Sequence, residues 1–309
     1  MNYGFRIVTD SEIDNLLIKL EERLKWIKQK DFSFQVQSSY KKEHSTYIVD
    51  INLEGNKRDK LFRDEDIIHI FKHQIAEVLA EHIVYEWESK LLWKAINRKC
   101  RSALKEDKTI IHNKASEFLC KCHYNESLNL LMTYGRKNRI AHRLFEHIEN
   151  HKTLVIEGFI NFCLPEYLAE IRFAVELASE ELKSEKEYNE FVKLLRYFVE
   201  TQMPRVLEVN LMINGKGNFY LWDENGIKIE DKYINYYLDD MLQNEISLDD
   251  VLISILVTIA PRKIILHNTN ELSCNEPVKM IKNVFQERIV TCPGCKYCRH
   301  DEKNLVPGT

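Results

Sequence analysis

The sequence predicts a helix-rich α+β protein with a small N-terminal α/β unit, a helical middle, and a C-terminal β-meander followed by a βαβ layer. Three observations support this fold class. Apolar residues recur at intervals of three and four in the middle of the chain, and they alternate in short runs near both ends. Only 9 glycines and 6 prolines interrupt the 309 residues, which favours short loops. We expect the three parts to comprise residues 1–62, 63–204 and 205–309.

The N-terminal unit should contain a strand, a helix and two further strands. Residues 5–8 form a short apolar run that predicts the first strand. Thr9 and Glu12 then form the T-x-x-E pattern of a capping box, which predicts the start of a helix. Apolar residues alternate in residues 32–36 and again in residues 47–53, as expected for two strands that each have one buried face.

The middle of the chain has helical periodicity. Residues 64–105 contain neither glycine nor proline, and they predict one long helix or two joined helices. Residues 112–152 continue in helical register, with an interruption predicted at Tyr134-Gly135 because glycine disfavours a helix interior.

Residues 165–204 predict two amphipathic helices that can pack antiparallel. The first begins at Pro165, since proline is tolerated in the first turn of a helix. Ser184 and Glu187 form a second capping box, which predicts the start of the second helix. Pro204 ends it, because the residue before a proline is disfavoured in helical conformation.

After Pro204 the apolar period changes from that of a helix toward that of a strand. Residues 206–213, 218–222 and 226–229 predict a β-meander. Its tight turns are predicted at Asn214-Gly215 and Asn225-Gly226, because both dipeptides suit the positive φ angles of hairpin turns.

The remaining elements alternate between helix and strand. A helix is predicted at residues 247–261 and a strand at residues 263–267. A second helix at residues 277–285 and a second strand at residues 288–291 follow. A strand, a helix and a strand at this spacing suggest a βαβ crossover with parallel strands.

Composition favours a cytoplasmic protein. The net charge of −4 creates no overall field that would attract nucleic acid or an anionic membrane. The N-terminus lacks the pattern of a signal peptide. The longest apolar run, residues 251–261, is about half as long as a membrane span requires. The 8 cysteines are therefore expected as reduced thiols, with metal binding or redox chemistry as the exceptions.

The strongest chemical signal is a cysteine-rich segment near the C-terminus. Cys292, Cys295 and Cys298 form two overlapping C-x-x-C steps, and His300 follows two residues later. A C-x-x-C step that contains a Pro-Gly turn places two sulfur atoms on one side of a metal ion. We predict a metal site at these four residues, with zinc as the ion and an iron–sulfur cluster as the alternative.

Other residues compete for the fourth ligand position. Cys274 is one candidate, and Cys120 or Cys122 is another. Cys120 and His123 share one face of a predicted helix while Cys122 points away, so these three residues cannot all bind one ion without a break in the helix. Unliganded cytosolic thiols are the alternative interpretation of all these cysteines.

Two segments carry an excess of positive charge. Residues 94–108 contain six Lys or Arg and two acidic residues (6 − 2 = +4), and residues 136–152 contain five and two (5 − 2 = +3). If they faced the same way they could bind phosphates, with Trp93 or Tyr134 stacking on bases. Solvated helix faces are the simpler interpretation.

An enzymatic function has one candidate site. His267 and Asn268 end a predicted strand, and Cys292 follows the next strand, so the two strand ends could share a crevice. A cysteine beside a histidine is the minimal nucleophile pair. The alternative is a strand-end histidine that caps a loop. Glycine-rich nucleotide-binding motifs, H-E-x-x-H and G-x-S-x-G are absent from the sequence.

Residues 157–205 read EGFINFCLPEYLAEIRFAVELASEELKSEKEYNEFVKLLRYFVETQMPR. This segment resembles the signature block of the sporulation protein YtxC family. The resemblance extends through residues 218–226 and 252–261. Cys163 stands where the family phrase E-G-F-I-N-F-R-L has a basic residue. The resemblance implies a cytosolic protein of spore-forming bacteria that is associated with sporulation, and it implies no catalytic residue.

Together these observations predict a non-enzymatic interaction or regulatory protein with a protein partner and a C-terminal metal site. An enzyme that uses the His267 and Cys292 crevice is the first alternative. A protein that binds nucleic acid through its basic helices is the second. No membrane span is expected.

Overall fold

A computed structural model describes residues 2–30, 32–42, 45–55, 63–120, 126–213, 219–229, 248–267, 276–295 and 298. Of these, residues 28–30, 120, 126–132, 248–249 and 276 are described by their backbone alone. The chain forms two compact units, Met1–Lys183 and Ser184–Thr309. Each unit combines helices with a four-stranded mixed sheet, which confirms the α+β class. The division into three parts stays a prediction.

The first unit contains four strands and most of the helices. In chain order they are β1 (Asn2–Thr9), α1 (Asp14–Leu24), a 3-10 turn (Lys25–Lys30), β2 (Phe32–Lys41), β3 (Thr46–Gly55), α2 (Asp64–His82), a π-helical segment (Ile83–Trp87), α3 (Glu88–Lys99), α4 (Lys105–Cys120), α5 (Glu126–Asn150), β4 (Thr153–Val155), α6 (Ile156–Cys163) and α7 (Pro165–Thr201), which continues into the second unit.

The sheet of the first unit has the strand order β2-β3-β1-β4. Strand β3 pairs antiparallel with both β1 and β2, and β4 pairs with β1 in parallel, so the three predicted strands are present. The capping box predicted at Thr9 is wrong. Helix α1 begins at Asp14 without a side-chain cap. Thr9 is instead buried at the end of β1, and its hydroxyl donates to the Glu157 carboxylate at 2.8 Å.

Two predicted interruptions of helices are also wrong. Helix α5 continues through Gly135, because one glycine costs a helix only about 0.5–1 kcal/mol and the buried residues Ile140, Leu144 and Ile148 pack its next turns. Helix α7 continues through Ser184, where two antiparallel helices were predicted. Ser184 lies in the interior of this continuous helix, so its side chain does not mark a helix start.

A buried network around one ion pair connects four helices of the first unit. Glu88, the first residue of α3, accepts hydrogen bonds from Arg136 at 2.6 Å and from the Tyr167 hydroxyl at 3.1 Å. The Arg136 and Glu88 side chains are only 5% and 10% exposed. Burial raises the pKa of Glu88, and the charge of Arg136 opposes this rise. Arg136 also donates to the Leu119 carbonyl.

The second unit begins within α7. Its further elements are β5 (Glu208–Ile213), β6 (Phe219–Asp223), α8 (Leu248–Ile259), β7 (Lys263–His267), α9 (Glu276–Phe285), a 3-10 turn (Gln286–Arg288) and β8 (Ile289–Thr291). The strand order is β6-β5-β7-β8. Strands β5 and β6 form an antiparallel hairpin, and β7 pairs in parallel with both β5 and β8. The predicted βαβ crossover is therefore confirmed.

The predicted β-meander is shorter than expected. Its third segment forms only an isolated bridge between Trp222 and Lys228. Gly226 has a φ of +82°, so the turn predicted there takes the conformation that favours glycine. The other predicted turn, Asn214-Gly215, lies outside the described residues.

The two faces of the second sheet have different roles. Val209, Leu211, Ile264 and Leu266 are buried on the face that forms the apolar core. The alternate residues of the same strands, which include His267, point to the opposite face. Among the described residues, no helix is long and apolar enough to cross a membrane.

Candidate metal centre

The register between β7 and β8 brings His267 and Cys292 together. Leu266 pairs with Thr291, and the Cys292 amide donates to the Leu266 carbonyl at 2.8 Å. This bond continues the parallel ladder one residue beyond β8. Because side chains alternate along a strand, Cys292 emerges on the same face as His267, the last residue of β7.

The chain after Cys292 turns back toward the same point. Gly294 has a φ of +112°, a conformation that glycine adopts without strain, and Cys295 follows it directly. The Cys298 amide then donates to the Cys295 carbonyl at 3.1 Å. The three cysteines therefore face the imidazole of His267.

The distances between these side chains fit a single metal ion. The His267 Nδ1 atom lies 3.4 Å from the Cys295 sulfur and 3.5 Å from the Cys298 sulfur. The Cys298 sulfur lies 3.8 Å from the sulfurs of both Cys295 and Cys292. All four ligand atoms lie within 4.8 Å of one another. This cluster could hold a metal ion.

These values can be compared with an ideal tetrahedral site. Zinc lies about 2.3 Å from a thiolate sulfur and about 2.0 Å from an imidazole nitrogen, so tetrahedral angles give a sulfur–sulfur separation of about 3.8 Å and a sulfur–nitrogen separation of about 3.5 Å. The four contacts reach these lengths to within about 0.1 Å. Four of the six edges of the ligand set therefore have the lengths that one tetrahedral zinc ion requires, and the other two are at most 4.8 Å long.

The surroundings favour the neutral forms of two of the ligands. Burial raises the pKa of the Cys292 thiol; a backbone hydrogen bond at Gly294 opposes this rise, and the neighbouring Cys295 and Cys298 thiols add to it. Burial lowers the pKa of His267, which is 4% exposed, although Glu208 opposes this shift. A metal ion that binds here must therefore displace thiol protons.

Three polar or aromatic groups surround the outer side of His267. Its Nε2 atom lies 3.0 Å from Asn210 Oδ1. The Asn210 amide group in turn donates from Nδ2 to the Asp223 carbonyl at 3.4 Å. The Trp222 ring lies 5.1 Å from the imidazole, centroid to centroid, at 30°.

The structure brings together three of the residues predicted as metal ligands, Cys292, Cys295 and Cys298. His300, the predicted fourth ligand, lies outside the described residues. Cys274, Cys122 and the side chain of Cys120, which were alternatives, do so as well.

The nitrogen ligand in the described cluster is His267, which sequence reasoning had placed only in a crevice with Cys292. The sequence did place His267 at the end of one predicted strand and Cys292 just after the next. It could not show that the parallel register of these two strands makes His267 a neighbour of all three cysteines.

Many basic residues of the two positively charged segments pair with carboxylates of the first unit. The pairs are Lys99–Glu176, Arg136–Glu88, Lys137–Glu77, Arg139–Glu170 and Arg143–Glu146. Trp93, predicted to stack on bases, stacks on His112 with ring centroids 4.7 Å apart. Four of the five basic residues of the second segment are thus paired, so that segment presents less free positive charge than its composition suggests, whereas these pairs include only Lys99 of the first segment.

Comparison with known proteins identifies the family. The model of the YtxC-like family matches residues 73–290, which is most of the chain. This chain belongs to the YtxC-like family. The match includes His267 and Asn210 and ends before Cys292.

One curated relative in this family is similar to the chain over part of its length. The "Uncharacterized protein YtxC" of Bacillus subtilis (strain 168) is 29% identical over 165 residues, which cover 52% of this chain and 55% of the relative. The chain thus spans about half the length of the curated relative that it matches. No solved structure matches this chain.

Proposed function

We propose that this member of the YtxC-like family is a cytoplasmic, non-enzymatic interaction or regulatory protein of sporulation, whose C-terminal segment is fixed by one zinc ion. The ligands are His267, Cys292, Cys295 and Cys298. The observation that carries the proposal is the set of four contacts of 3.4 to 3.8 Å, which have the lengths of the edges of a zinc-centred tetrahedron.

The geometry favours a single ion over the iron–sulfur alternative. In a four-iron cluster each thiolate binds a different iron atom, and in a two-iron cluster the four ligands divide between two irons, so the complete ligand set spreads farther than around one shared ion. Here all four ligand atoms lie within 4.8 Å of one another. Three thiolates and one imidazole also match the ligand softness that selects zinc.

A structural role follows from the number of ligands. Four protein ligands complete the coordination of zinc, whereas a catalytic zinc keeps one position open for water or substrate. The ion would join the ends of β7 and β8 to the loop that follows. A zinc ion in this position would order the surface around the loop, and such an ordered surface could bind a protein partner. The role in sporulation is supported by the resemblance of residues 157–205 to the family's signature block.

Metal analysis tests the zinc site. Protein purified without oxygen is expected to contain about one zinc per chain, the stoichiometry of a single tetrahedral site. Cys292→Ser/Cys295→Ser should lose it. Cys163→Ser is the matched control, because this exposed cysteine lies on α6 in the first unit and should leave the zinc content unchanged.

Further variants test the fourth ligand and the alternatives. His267→Ala should lose zinc, and His300→Ala should keep it; the reverse result would return His300 to the ligand set. Folded, metal-free wild-type protein would refute the zinc site and return attention to a His267 and Cys292 nucleophile pair. Absorption bands from thiolate to iron would favour a cluster.

Spore counts test the biological role. A strain in which the gene is deleted should form fewer spores, and the cysteine variant should reproduce the loss. Normal sporulation of the deletion strain would refute the role in sporulation while leaving the zinc site unaffected.

A further inference from the structure

We infer that Asn210 is a positioning residue of the metal centre, which holds His267 in the one tautomer that presents the Nδ1 lone pair to the ion. The inference rests on the proposed zinc site. It assigns a role in orienting His267 to residues of β5 and β6, two strands that supply no ligand.

The sheet register places Asn210 beside His267. On β5, Met212 pairs with His267 and Asn210 pairs with Ile265, so Asn210 and His267 are diagonal neighbours on one face of adjacent strands. Asn210 is 8% exposed. A polar group with so little access to water must find its hydrogen bonds within the protein.

The Asp223 carbonyl determines which way the Asn210 amide points. A backbone carbonyl oxygen only accepts hydrogen bonds, so the part of the amide that faces it must be the NH2 group. The Asn210 Nδ2 atom lies 3.4 Å from this oxygen. The Oδ1 atom of Asn210 therefore faces His267 Nε2 at 3.0 Å.

This orientation then determines the tautomer of His267. An amide oxygen only accepts hydrogen bonds, so His267 Nε2 must carry the proton. Neutral imidazole has one N–H group, and Nδ1 is consequently left with its lone pair. Nδ1 is also the atom that lies 3.4 Å and 3.5 Å from the sulfurs of Cys295 and Cys298. The histidine is thus prepared as a metal ligand before an ion arrives.

The support for this arrangement extends into the turn after β6. The Asp223 carboxylate accepts hydrogen bonds from the backbone amides of Asn225 at 2.9 Å and Ile227 at 2.8 Å, which fixes the turn. Asn210 and Trp222 are paired residues of β5 and β6, and the Trp222 ring packs against the imidazole. The hairpin therefore restrains both the amide and the imidazole ring.

Zinc affinity of three variants tests the inference. Asn210→Leu removes the acceptor and should weaken zinc binding about 10–100-fold, the usual effect of losing a hydrogen bond to a ligand histidine. Asn210→Asp keeps an oxygen acceptor toward Nε2 but removes the donor to the Asp223 carbonyl, and it should bind zinc more tightly than Asn210→Leu does. Asn161→Leu is the matched control, because Asn161 is exposed on α6 in the first unit and its amide donates only to the Glu157 carbonyl of its own helix among the described contacts.

The measurements are competition with a chromophoric zinc chelator and nitrogen NMR of the His267 imidazole. NMR should show the proton on Nε2 and zinc on Nδ1 in the wild type. If the wild type binds zinc and Asn210→Leu binds it with equal affinity, the role of Asn210 is overturned and the zinc site is retained. If Asn210→Leu does not fold, the NMR of the wild type decides, because zinc on Nε2 would overturn the inference. A wild type that binds no zinc would remove the proposed function as well.

Discussion

His82 should make the first unit lose stability in mild acid. It is the last residue of α2, it is 2% exposed, and no described group forms a hydrogen bond with its Nε2 atom. Burial lowers its pKa from 6.5 to about 4; the charges of Lys19 and Lys90 act in the same direction, and Glu86 opposes them. The folded protein thus accepts a proton on His82 less readily than the unfolded chain does.

The sign and size of the effect follow from linkage. Below pH 6.5 the unfolded chain gains a proton that the folded protein takes up only near pH 4, so stability falls as the pH falls through this window. The full loss is about 3 kcal/mol, since the pKa falls from 6.5 to about 4 and one pKa unit corresponds to about 1.4 kcal/mol. Between pH 8 and pH 5 the loss is about 2 kcal/mol.

The assay compares urea unfolding of His82→Leu and of the parent protein at pH 8 and at pH 5. A Trp222→Phe background leaves Trp26, Trp87 and Trp93 as the fluorescent reporters, all in the first unit. The difference in unfolding free energy between the two proteins should change by about 2 kcal/mol in favour of the leucine variant at pH 5. Parallel dependence of both proteins on pH would refute the reasoning.

Four further variants test the buried ion pair and the backbone conformation at two glycines. Arg136→Met should lower the unfolding free energy by about 3–5 kcal/mol, because it leaves the Glu88 carboxylate buried without its cation. Glu88→Gln/Arg136→Met should recover most of this loss; an additive double variant would contradict the buried pair. Gly135→Ala should raise the free energy of unfolding by about 0.5–1 kcal/mol, because alanine favours a helix more than glycine does and the added methyl meets no atom within 4 Å. Gly226→Ala should lower it by about 1–2 kcal/mol because of the positive φ, and an unchanged melting temperature would contradict this turn conformation.

Local sequence patterns predicted most elements of the second unit. Strand β7 (Lys263–His267) begins and ends where its apolar run does, and α9 and β8 each agree to within one residue. These elements succeed because proline, glycine or polar residues bound each apolar run. A short pattern with such boundaries leaves the chain few alternative conformations.

Capping patterns predicted less well, and the reason is physical. Thr9 satisfies the sequence rule, but its hydroxyl bonds to Glu157, which is 148 residues away in the chain. Ser184 and Glu187 also fit the capping-box pattern, but they lie in the interior of helix α7. A capping box names side chains that can bond to a helix start, and only tertiary structure decides whether they do so.

The candidate site shows the same division between local and distant information. The spacing of Cys292, Cys295 and Cys298 is visible in the sequence, because all three lie within one turning segment. His267 joins them only through the parallel register of β7 and β8, and Asn210 joins through the register of β5. Registers depend on contacts between residues that are far apart in the chain, so spacing alone cannot supply them.

The weakness of β8 explains why a metal would be useful at this place. The strand has three residues, and Val290 is 43% exposed, so the strand contributes little apolar burial. Ordering the seven described residues from Ile289 to Cys295 costs about 7–14 kcal/mol of backbone entropy, whereas a structural zinc contributes about 10–16 kcal/mol. The two ranges are comparable. Coordination can therefore hold this segment on the sheet where burial cannot, with His267 and Asn210 providing the rigid half of the site from strands that the apolar core already fixes.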